Sequence, residues 1–147
     1  MRIISHNNFL LRLAVSIILI IHAVWGMING KIYDFGQALN QCELGICFSP
    51  LGVPIAWLIK LSHLACVVSL ITDRYVKITS LITIFILIMG IILVHAKNGW
   101  FVVGGSYGGI EFNFLLIFAL LTIMFPNGMK KQSLSSPLPD SPRNKAL

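Results

Sequence analysis

Four apolar runs constrain this chain more than any other feature: residues 9–28, 51–71, 76–96 and 110–125. A helix needs about 20 residues to cross about 30 Å of hydrocarbon. The first three runs meet that length, and the fourth falls just short, so its ends must extend into the interface. Lipid offers no partner to a bare N–H or C=O, so each run has to pair its backbone internally as a helix. That requirement overrides the β-propensity of the many Ile, Val and Thr residues. The fold expected is all-α, a four-helix transmembrane bundle over residues 1–126, followed by a separate tail.

Composition argues the same way. Only 11% of the residues are charged and 56% are hydrophobic, whereas a soluble domain carries about 25% charge. A water-soluble fold of this chain would expose much of its apolar surface. The net charge of +6 is no nucleic-acid signal, because the basic residues cluster at the ends of the apolar runs without interleaved aromatics. The lipid bilayer is the partner this pattern implies.

Arg2 and Arg12 ahead of an apolar run could also open a signal peptide. The run is long for one, and His22-Ala23-Val24-Trp25-Gly26 lacks a small-x-small cleavage site, so an uncleaved helix is expected. With the N-terminus inside, Arg2, Arg12, Arg74, Lys77, Lys130, Lys131, Arg143 and Lys145 are cytoplasmic, while only Lys31 and Lys97 lie outside. This bias sets the expected orientation, with both ends cytoplasmic. The tail 127–147 is polar and rich in Pro and Ser, and is expected to be disordered. Residues 30–50 and 97–109 read as outer loops, and Thr72-Asp73-Arg74-Tyr75 as a tight inner turn.

Ionisable residues inside a span are costly, and they face the bundle interior, a partner or a functional site. Here they are His22, Lys60, His63, His95 and Glu111. At about 1.5 Å of rise per residue, all fall in the middle or outer part of the membrane. Lys60 and His63 are three apart and share a helical face. Glu111 opens the fourth run, where a helix N-terminus favours a carboxylate, and it is expected to pair with Lys60, His22 or His95. Each residue alone could be interhelical glue; as a set they read as a functional cavity. Arg12 is expected to anchor at the interface or pair with Asp73.

Cys42 and Cys47 lie in the first outer loop and could form a disulfide in an oxidising compartment. Their spacing is not the C-x-x-C of a redox dithiol. Cys66 reads as a small apolar helix residue. No metal motif is visible, and nothing in the sequence identifies catalytic residues.

Several segments together resemble the DoxX family of small bacterial inner-membrane proteins. Leu10-Leu11-Arg12-Leu13 and then His22 are similar to that family's leading Arg and later His. Leu51-Gly52-Val53-Pro54 resembles its entry to the second helix. The most specific match is Val94-His95-Ala96-Lys97-Asn98-Gly99-Trp100-Phe101 followed by Gly108-Gly109-Ile110-Glu111-Phe112. The chain departs from the pattern at Ala23 and Gly26, and at His63, where the family often carries Glu; Lys60 is also unusual there. The resemblance implies a multi-pass bundle in the bacterial inner membrane, linked to quinone or thiol redox systems. Its expected role is a membrane subunit or anchor for redox-enzyme subunits, with a quinone as the candidate cofactor. The alternatives are a scaffold with no site of its own, and a small solute or lipid transporter, the latter weakened by the absence of inverted repeats.

Overall fold

The computed structural model describes residues 8–41, 48–102 and 108–126. Within them the chain is helical: α1 Phe9–Ile28, α2 Lys31–Asn40, α3 Gly52–Thr72, α4 Val76–Gly90 and α5 Glu111–Met124. Helix α4 continues through a π-helical turn, Ile91–His95, and a 3-10 turn, Ala96–Asn98. Cys42, Cys47 and the tail 127–147 lie outside the described residues.

Three helices, Phe9–Ile28, Gly52–Thr72 and Val76–Asn98, are long and apolar enough to cross a membrane. Helix α5 has 14 residues, about 21 Å at 1.5 Å each. The helices pack in a ring: α1 on α3, α3 on α4, α4 on α5, and α5 lightly back on α1. Val15, Leu19, Val67, Leu70, Leu116, Leu120 and Ile123 fill the centre. Outside the ring, Leu10, Ile21, Phe85, Leu115 and other large apolar side chains are exposed. Such a continuous apolar exterior suits lipid and not water.

On α1 the residues turned inward include Ser16, Ala23 and Gly26, and on α3 they include Ala56 and Cys66. Small side chains let two helices approach closely where lipid provides no hydrophobic drive for association. The α3–α4 turn is held at what we term the hairpin end. Asp73 and Tyr75 adopt left-handed backbone there (φ 56° and 58°). The Arg12 guanidinium bonds the Asp73 carboxylate at 2.5 Å, one of the two roles expected from sequence, and ties α1 to the turn. The Ser69 hydroxyl donates to the Arg74 carbonyl.

The opposite end holds a difference from the sequence reading. Half of the expected loop 30–50 is helix α2. Its buried residues, Ile32, Gly36 and Leu39, fall at helical spacing. Gly36 sits against the backbone and side chain of Val53, too close for any Cβ. The Asn40 side-chain oxygen accepts the Gly52 N–H at 2.9 Å, satisfying one of the unpaired donors that every helix start exposes. Helix α2 is therefore docked on the start of α3. We term this the α2 end.

Candidate functional site

The polar residues singled out in the apolar runs divide into two groups. His22 from α1 and Lys60 and His63 from α3 come together. Lys60 is 8% exposed and His63 is 2% exposed. The Lys60 Nζ donates to His22 Nε2 at 3.1 Å and to the His22 carbonyl at 3.2 Å. With Lys60 as an ammonium, which can only donate, Nε2 accepts and the His22 proton sits on Nδ1. The third ammonium donor faces the Phe35 ring, 5.9 Å from its centre, a cation–π distance. The His22 and His63 rings meet edge to face, with centroids 5.7 Å apart.

Magnitudes explain why a lysine can be held here. An ammonium near the middle of a membrane helix costs about 2.5–3.5 kcal/mol on insertion scales. A hydrogen bond to a charged group returns about 1.5–3 kcal/mol. Two such bonds and the Phe35 face are of the size needed. Gly26 leaves the space: a Cβ there would stand 3.4 Å from Lys60 Cε and 3.5 Å from Nζ. His22 itself keeps an exposed side, so the cluster is open to its surroundings at the α1 edge.

His95 ends the π-helical turn that continues α4. Its Nδ1 lies 2.5 Å from the Gly108 carbonyl. A carbonyl only accepts, so Nδ1 carries the proton. The π-helical turn Ile91–His95 sets where this ring points; such turns recur at functional sites.

Glu111 does not join the cluster by an ion pair. Among the described residues the ion pairs are Arg12–Asp73 and Lys31–Asp34, and the expected link from Glu111 to Lys60, His22 or His95 is not formed. The physical reason lies in the segment before α5. The Glu111 N–H donates to the Trp100 carbonyl at 3.0 Å, and the Ile110 N–H to the Gly99 carbonyl at 3.2 Å. These bonds fasten the start of α5 to the Lys97-Asn98-Gly99-Trp100-Phe101 motif. Gly109 packs against the backbone of Trp100 and Phe101 with no room for a Cβ. Trp100 stacks on Phe114, 5.4 Å between centroids, and Asn98 reaches toward the Gly108 carbonyl at 3.5 Å. The motif acts as a clasp on α5.

Two features escaped sequence reasoning. Phe35 lies in what reads as loop; the apolar spacing of α2 was the available signal. A set of small polar side chains is buried deeper in the bundle: Ser16, Cys66, Ser80 and Thr83. They look like ordinary small helix residues, and no sequence pattern marks them. Among the described residues, no group of three or more His, Cys, Asp or Glu side chains is placed to hold a metal ion.

What the fold and the site define is an all-helical chain with three helices fit to span a bilayer and a donor-rich cluster set between two of them. No family model, curated protein or solved structure matches the chain.

Proposed function

We propose that this chain is a DoxX-like membrane subunit of a quinone-linked redox assembly in a bacterial inner membrane. The observation that supports this reading best is the chemistry of the His22–Lys60–His63 cluster. It presents an ammonium and imidazole N–H groups, with no carboxylate bonded to it, inside an apolar bundle. A quinone headgroup is apolar, dissolves in lipid and offers two carbonyl acceptors. His22, on its exposed side, would donate its Nδ1–H to a quinone oxygen, Lys60 would hold that ring in place from behind, and His63 would stand beside them. A partner enzyme's dithiol, oxidised to a disulfide, releases two electrons and two protons. The quinone accepts two electrons and two protons and becomes a quinol.

In this reading α5 is the fourth crossing, reached by its flanking residues and by local thinning of the bilayer. Both chain ends are then cytoplasmic, as the Lys and Arg bias favours. Such a subunit recruits soluble redox partners to the membrane.

The test uses the full chain in lipid vesicles and a benzoquinone bearing a photoreactive tail. Labelling should fall on α1 and α3 near His22 and Lys60, be displaced by excess unmodified quinone, and disappear in Lys60→Met. Labelling spread evenly over the apolar helices, or unchanged in Lys60→Met, would overturn the proposal and leave a scaffold role.

A further inference from the structure

Hydroxyl groups in an apolar helix normally donate to a carbonyl of the preceding turn. Ser62, Thr72, Thr79 and Thr122 do so, at 2.7–3.2 Å. Ser16, Ser80 and Thr83 do not. Their oxygens are buried with no hydrogen-bond partner, and so are both ring nitrogens of His63. Leaving a polar group in that condition costs about 1–3 kcal/mol each. Five such atoms are too many to leave unmet in one small bundle.

Three of the orphaned residues, His63, Ser80 and Thr83, gather about Cys66. Antiparallel α1 and α3 are in register where His22 meets Lys60. Six residues further along each, toward the hairpin end, stand Ser16 and Cys66, at the same depth. The Cys66 thiol faces Thr79, Ser80 and Thr83 of α4, and a thiol is too weak a partner to satisfy the buried Ser80 and Thr83 hydroxyls. His63 is one turn from Cys66 on the same face of α3. Ser69, one turn beyond Cys66, bonds the Arg74 carbonyl beside the half-exposed Asp73 carboxylate. The column thus has His63 and the ligand cluster at one end and the hairpin-end surface at the other.

We infer that this column holds bound water and passes protons between the hairpin end and His63. Buried waters typically make about three hydrogen bonds, and they settle where polar groups lack protein partners. Hydroxyls, a thiol and an imidazole are all able to accept a proton on one side and release one on the other. The inference extends the proposed function, because a quinone bound at His22 needs two protons, yet its test involves no quinone.

The test follows the Cys66 thiol. In the full chain carrying Cys42→Ser and Cys47→Ser, Cys66 is the remaining thiol, and its S–H stretch is read by infrared spectroscopy in bilayers moved into D2O. Conversion to S–D should finish while mid-span amides of the same sample stay protected. Ser80→Ala, on the hairpin side of Cys66, should slow that conversion by about tenfold. Thr83→Val, on the far side, and Ser62→Ala, whose hydroxyl is already paired, should leave it unchanged. A thiol that stays S–H as long as the amides stay protected overturns the inference. Slowing by Thr83→Val without slowing by Ser80→Ala also overturns it, since protons would then enter from the cluster end. Retained quinone labelling in Ser80→Ala would show that a failure here is separate from a failure of the binding site.

Discussion

His22 and Lys60 are bonded to each other, yet their loss should have unequal effects. Replacing Lys60 with Met removes the charge and its desolvation cost together and keeps most of the volume. Replacing His22 with Leu leaves the ammonium without its ring acceptor. Stranding a buried donor in this way costs about 1–3 kcal/mol. Denaturation in mixed micelles should therefore show Lys60→Met near neutral or stabilising, and His22→Leu clearly destabilised. Equal losses would mean that Lys60 contributes by packing alone. Gly26 gives a second measure at this scale. Gly26→Ala places its Cβ in ordinary contact with Lys60 and should be tolerated. Gly26→Leu must displace the lysine chain and should cost about 1–3 kcal/mol, read as a lowered melting temperature.

At the scale of elements, the glycine contacts decide how the pieces dock. Gly36→Val would drive a branched side chain into Val53 and lift α2 from α3. Hydrogen exchange in α2 should rise sharply while α1 and α4 keep their protection. Phe35 travels with α2, so the same variant should weaken quinone labelling by loosening the ring over Lys60. The clasp on α5 invites a parallel experiment. Gly109→Val collides with the Trp100 and Phe101 backbone and should free the first turn of α5, seen as faster exchange at the Ile110 and Glu111 amides.

For the whole molecule, the paths of the three long apolar helices set which face each end meets. With α1, α3 and α4 spanning the bilayer, the α2 end and the hairpin end face opposite sides. Single cysteines placed at Lys31 and at Lys77, in a chain whose native cysteines are replaced, should react with an impermeant maleimide from opposite faces. If both are labelled from one side, the spans do not cross as proposed. A reporter fused after the tail should be active in the cytoplasm if α5 makes the fourth crossing, and outside if it does not.

The sequence by itself determined that this chain builds apolar helices, and near which residues three of them run. Hydrocarbon forbids unpaired backbone, so a long apolar run has one solution, and its length is visible in the residues. It also marked His22, Lys60 and His63 as polar groups that need company, because their cost in lipid depends on residue type. Only the tertiary structure decided who keeps that company. Lys60 meets His22 through the register of α1 on α3, and Phe35 through the docking of α2, neither of which is written in any local pattern. Glu111 stays out because the Gly99–Trp100 carbonyls hold its helix elsewhere. The orphaned hydroxyls of Ser16, Ser80 and Thr83 were silent for the same reason. Whether a hydroxyl is satisfied depends on the atoms across the interface, and those are fixed by packing between helices distant in the chain.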